Sequence, residues 1–113
     1  MLYRPYVKAA PGLLAFTSGQ LPVVPGQEEL PASFAEQAAA ALENVLKIVE
    51  SENGSKNNFV KLTIFMTDLS YFDEFNQIYT KFFEGFTPPA RTCIEVSRLP
   101  RNAMLEIEAI FSL

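Results

Sequence analysis

PPARTCIEVSRLPRNAMLEIEAI, Pro88 to Ile110, reads as two β-strands with a break between them. Ala90 to Ser97 is one strand and Met104 to Phe111 the other. Leu99-Pro100-Arg101-Asn102 is the connection. Side chains alternate across a strand. Thr92, Ile94 and Val96 therefore point one way, and Arg91, Cys93 and Glu95 the other. In the last strand Leu105, Ile107, Ala109 and Phe111 share one face, and Met104, Glu106, Glu108 and Ile110 the opposite one. The apolar sets are expected under a layer of helices. The second face then combines Arg91, Glu95, Glu106 and Glu108 with Cys93, Met104 and Ile110. A solvated sheet face carries more Lys and Thr, and a core face fewer charges. The mixed face is expected to be a subunit interface with a polar pocket in it.

The preceding elements follow outward from this stretch. Phe59 to Thr67 is a strand, in which Val60, Leu62, Ile64 and Met66 alternate with Lys61, Thr63 and Thr67. Phe72, Phe75, Tyr79, Phe82 and Phe83 form the stripe of a helix, with Ser70 and Asp73 at N-cap spacing and Gly85 and Pro88-Pro89 at its end. Another helix opens at Ser33, with Glu36 at capping-box spacing, and ends at Asn53-Gly54. Its stripe is Phe34, Ala38, Ala41, Leu42, Val45 and Val49. Leu21 to Ala32, with Pro22, Pro25, Gly26 and Pro31, is a loop, and Leu13 to Ser18 a first strand. The order is strand, helix, strand, helix, strand, strand. Two helices can cover one face of such a sheet, which predicts a two-layer α+β domain.

The chain has 113 residues, 49% of them hydrophobic and 19% charged, which fits one folded domain over residues 1–113. A net charge of −4 runs against a dedicated nucleic-acid binder, which draws on surplus Lys and Arg. With no His and one Cys, the chain cannot build a Ser-His-Asp or Cys-His nucleophile system, the usual Cys/His zinc site or an internal disulfide. No metal or cofactor is expected. No stretch reads as a membrane span, and Met1 to Lys8 lacks the apolar region of a signal peptide. A cytoplasmic protein is expected, or a mitochondrial one in a eukaryote.

Pro88 to Ile110 resembles the C-terminal signature of the Rid (reactive intermediate deaminase, YjgF) family: Pro-Ala-Arg-Ser/Thr, an apolar strand, Leu-Pro, then Ile/Leu-Glu-Ile-Glu. Other pieces follow in the family's order: Pro5-Tyr6-Val7, Thr17-Ser18-Gly19-Gln20-Leu21-Pro22, Gln37 with Leu42-Glu43-Asn44, and Val60-Lys61 through Asp68. Phe75-Asn76, Tyr79 and Phe82-Phe83 complete the match, which covers roughly Pro5 to Leu113. Arg4 stands where members carry Gly before Pro-Tyr. The resemblance implies a chorismate-mutase-like α+β fold, a mixed sheet with two helices on one face, and a homotrimer with sites in its clefts. It also implies a last strand lying between earlier strands, where the chain order alone suggests a hairpin.

The activity implied is hydrolysis of enamines and imines, 2-aminoacrylate and its homologues, to 2-keto acids and ammonia. Arg91 would clamp the carboxylate through two parallel hydrogen bonds. The competing reading of Arg91 is a salt bridge to Glu95, Glu106 or Glu108. Glu106 matches the family residue that positions or activates water; its alternative is pairing with Arg91 or Arg101. Tyr6, Ser18, Asn76 and Tyr79 match pocket positions, although Tyr79 also lies on a core stripe. Thr92 and Cys93 would border the substrate through backbone groups; as a side chain Cys93 reads as small and buried. The family also brings an endoribonuclease and translation-inhibitor activity, and a non-catalytic 2-keto acid binding module would use the same clamp.

Overall fold

A computed structural model describes residues 1–9 and 11–113. The elements are β1 (Leu14–Phe16), α1 (Phe34–Ser51), β2 (Phe59–Met66), α2 (Phe72–Phe82), β3 (Ala90–Glu95) and β4 (Leu105–Ser112). The strands form one mixed sheet in the order β1-β4-β2-β3. β4 is antiparallel to both β1 and β2, and β3 is parallel to β2. The last two strands are therefore not a hairpin; β4 lies inside the sheet, as the resemblance implies.

Leu62, Ile64 and Met66 of β2 and Leu105, Ile107, Ala109 and Phe111 of β4 are buried on one face. They meet Ala38, Ala41, Leu42, Val45 and Val49 of α1 and Phe75 and Tyr79 of α2 in a single cluster. Burying a Val, Leu, Ile or Phe side chain contributes about 1.5–3 kcal/mol, so this layer supplies most of the drive to fold. Ser33 starts α1 as its spacing predicts: its hydroxyl accepts from Glu36 N at 3.2 Å and donates to Glu36 Oε1 at 2.9 Å. At the other end Asn53 takes a φ of 63°, and the Gly54 N–H returns to Val49 O.

Three expectations need correction. The first strand is shorter than Leu13 to Ser18, because the Thr17 hydroxyl takes the Ala109 N–H and interrupts the ladder. Ser70 does not cap the second helix. Asp68 Oδ1 accepts from Ser70 N at 2.8 Å, and a 3₁₀ turn, Leu69–Tyr71, leads into α2.

The third correction matters most. Parallel pairing sets Arg91 beside Leu62, Cys93 beside Ile64 and Glu95 beside Met66. Arg91, Cys93 and Glu95 thus lie on the helix side, while Thr92 and Ile94 lie on the open side. β3 is an edge strand that the helices cover only in part, so its polar side can sit next to a core. Glu106 and Glu108 pair with Phe65 and Thr63 on the open face. Arg91 and these two glutamates therefore occupy opposite faces of one sheet.

Polar side chains fasten the long loop before α1. Asn44 Nδ2 donates to Leu21 O and Val23 O, both at 2.9 Å. Gln37 is buried; its Nε2 donates to Pro31 O at 2.8 Å and its Oε1 accepts from Met104 N at 2.9 Å. Gln37→Leu leaves both backbone groups without partners and should lower the unfolding free energy by about 2 kcal/mol in urea titration.

Candidate active site

Arg91 is half-buried at the start of β3, and α2 is built around its guanidinium. Phe72, Phe75, Asn76 and Tyr79 are spaced to share one helix face. Asn76 Oδ1 accepts from Arg91 Nη1 at 2.8 Å. The ring centroids of Tyr79, Phe72 and Phe75 lie 4.9, 5.6 and 5.9 Å from Arg91 Cζ. Rings at this range attract a cation through their faces. They leave the polar edge of the guanidinium, apart from the Asn76 bond, to other partners.

None of the three carboxylates that could make Arg91 a structural ion pair does so. Glu106 and Glu108 are on the other face, and Glu95 Oε1 accepts from Leu69 N at 2.9 Å. Among the described residues, Asn76 provides the one side-chain hydrogen bond to Arg91. A partly desolvated cation with no anion favours taking one from solution.

Tyr79 is fully buried, and its hydroxyl has no hydrogen-bond partner among the described residues. Burial pushes its phenol well above the ordinary range, with the Arg91 charge opposing. It is the floor beneath Arg91, in keeping with the core-stripe reading. Burial likewise pushes the Cys93 thiol up, again with Arg91 opposing, so the group is not a thiolate nucleophile at neutral pH.

Glu106 is half-buried beside the Ser18-Gly19 corner. Thr17 N bonds Ala109 O and Gln20 pairs with Ile107, so the earlier segment has one residue more than β4 between these contacts. The extra residue bulges the chain and brings Gly19 against the Glu106 side chain. A Cβ on Gly19 would lie 2.6 Å from Glu106 Oε1. Ser18 is exposed next to it.

Tyr6 is 70% exposed. It lines a cleft of about 390 Å³ with Tyr3, Arg4, Lys61, Arg91 and Thr92. The chain thus groups its expected site residues in separate sets. Arg91, Asn76, Tyr79 and Cys93 gather on the helix side of β3, Tyr6 and Thr92 line the cleft at its edge, and Ser18 and Glu106 gather on the open face. Sequence reading missed Phe72 and Phe75 as cradle residues, Tyr3 as a cleft wall, and Gly19 as the seat of Glu106. The spacing of the two rings around Asn76 was the available signal. Among the described residues, no group of three His, Cys, Asp or Glu side chains converges as a metal site.

Residues 2–112 match the sequence model of the family described as Endoribonuclease L-PSP. The 2-iminobutanoate/2-iminopropanoate deaminase of Escherichia coli strain K12 is 45% identical over 109 residues, 94% of this chain and 85% of that one. A RutC family protein of Haemophilus influenzae is 47% identical over 110 residues, 94% of this chain and 85% of its own. The crystal structure of E. coli TdcF with bound serine superposes with a TM-score of 0.87 at 43% identity, covering 97% of this chain and 89% of that one. A match across nearly the whole chain, in sequence and in fold, places this protein in the Endoribonuclease L-PSP family, the reactive intermediate deaminase (YjgF) family.

Proposed function

We propose that the protein hydrolyses 2-imino acids and their enamine tautomers, such as 2-aminoacrylate and 2-iminopropanoate, to 2-keto acids and ammonia. The observation that carries this reading is Arg91: a cation oriented by Asn76 and aromatic rings, with no carboxylate paired to it among the described residues. The substrate carboxylate supplies the missing anion. The name of the E. coli deaminase at 45% identity points the same way.

In the proposed reaction the imine carbon is held next to Arg91 and a water attacks it. The C–O bond forms as the C=N π bond opens onto nitrogen, and Glu106 takes a proton from the water. Glu106 gives that proton to nitrogen, completing the carbinolamine, and then carries the hydroxyl proton to the amino group as the C–N bond breaks, the C=O bond forms and ammonia leaves. Orientation and one acid–base group suffice for an electrophile this reactive. No cofactor has a step in this scheme.

Arg91 and Glu106 lie on opposite faces within one chain, so the scheme needs a second copy. The open face carries Phe16 and Ile94, 69% and 41% exposed, beside Phe65 and Ile110. A homotrimer joined through this face would bring Glu106 and Ser18 of one subunit to Arg91, Asn76 and Tyr6 of the next. The lone Cys fits a cytoplasmic, reducing setting. The family description favours a second reading, ribonuclease action. A net charge of −4 and the lack of His count against it.

Imines generated in situ by a serine or threonine dehydratase, with semicarbazide as the competing trap, test the proposal. The wild type should outcompete the trap. Arg91→Ala should lower kcat/KM about 100-fold or more, as loss of charge-assisted hydrogen bonds requires. Glu106→Gln should lower kcat about 10²–10⁴-fold with a smaller change in KM. If the wild type leaves the trapped yield unchanged, the reading fails, and RNA cleavage and keto-acid binding become the next assays.

Gly19→Ala probes the same chemistry without altering a charged group. The added methyl displaces the Glu106 carboxylate and should lower kcat by up to about 100-fold, with a melting temperature close to wild type. Light scattering should give three times the chain mass; a monomer at working concentration rules out the shared site.

A further inference from the structure

We propose that Tyr3 is a specificity-determining residue: Arg4 holds it at the mouth of the Arg91 cleft, where it restricts the substrate to small side chains. The inference rests on the carboxylate-clamp reading of Arg91.

Arg4 fixes the N-terminal segment to the start of β3. Its main-chain N donates to Pro89 O at 3.2 Å, and its Nε donates to Pro88 O at 2.8 Å. Pro88 and Pro89 are buried and Arg4 is half-buried, so the clamp grips a fixed part of the fold. Pro5 follows Arg4 directly, which restricts Arg4 to extended backbone and locks φ at residue 5. The residues on either side are thereby held in place. The Tyr3 ring centroid lies 5.8 Å from Arg91 Cζ, and Tyr6 lines the same cleft.

A carboxylate bound to the guanidinium edge puts its own carbon about 4 Å from Cζ and the imine carbon about 5–6 Å from it. The helix side of Arg91 is closed by Phe72, Phe75 and Tyr79, and one Nη is taken by Asn76. The ligand therefore approaches from the cleft, where Tyr3 and Tyr6 stand. The imine carbon bears the side chain that distinguishes one substrate from another. A methyl or ethyl group fits beside the Tyr3 ring, whereas a branched or aromatic group has to displace it. Tyr3 is half-exposed and has no role in the core, so its ring can be removed without unfolding the domain.

The test uses imines of alanine, leucine and phenylalanine, made in situ by an L-amino acid oxidase with catalase and followed against semicarbazide. The wild type should prefer the alanine-derived imine. Tyr3→Ala should raise kcat/KM for the leucine and phenylalanine imines, relative to alanine, by about tenfold. Arg4→Ala should shift the ratio the same way, because it frees the segment. Tyr3→Phe should keep the wild-type ratio. If the wild type is active and Arg91→Ala loses all three substrates, but Tyr3→Ala leaves the ratios unchanged, the Tyr3 proposal is overturned and the clamp stands. If Arg91→Ala keeps its activity, or the wild type has none, the clamp reading falls and Tyr3 falls with it.

Discussion

Two strands that run the same way cannot be joined by a tight turn, so the chain between β2 and β3 has to travel back along the sheet. α2 is that return path. Its buried face must cover the sheet while its first turns reach the edge strand. The same helix therefore supplies core rings and an Asn76 side chain that meets Arg91. The parallel register puts Arg91 in line with Leu62, on the side where those rings are. An antiparallel hairpin of β3 with β4 would have given the site no helix to be built on.

The position of β4 has a second effect. Flanked by β1 and β2, it shows Leu105, Ile107 and Ala109 to the helices and Glu106 and Glu108 to the open side. One strand thus serves as core on one side and, in the proposed mechanism, as chemistry on the other. The proposed trimer follows from this division, because an acid–base group and a carboxylate clamp on opposite faces can act together only across a subunit boundary. The exposed apolar residues around Glu106 favour burying that face.

Much of this was legible in the sequence. The helices were plain from their stripes and from Ser33 with Glu36, because an amphipathic helix needs nothing beyond local spacing. The alternation of β4 correctly separated Glu106 from its apolar neighbours. The face of β3 was misread for a physical reason: alternation separates two sets of residues but does not say which set faces the core. Apolar Thr92-Ile94-Val96 looked like the buried set, and only pairing with Leu62 and Ile64 decides otherwise. The cap at Asp68 was missed because Ser70 also fits the local pattern, and tertiary contact between Leu69 and Glu95 settles where the turn begins. The Arg4 clamp joins residues 84 apart in sequence and has no local signal.

That clamp also bears on how the chain avoids its own copies. β3 is an edge strand, and an edge offers unpaired N–H and C=O groups to any passing strand. Just before it, Pro88 and Pro89 have no N–H to give, and Arg4 occupies the carbonyl oxygens of both. The end of the edge nearest the cleft of Tyr3 and Arg91 is thus closed to strand addition. Losing the first residues would do more than reshape a pocket: it would uncover a template for edge-to-edge aggregation, so protection of this edge and the proposed selectivity rest on the same short segment.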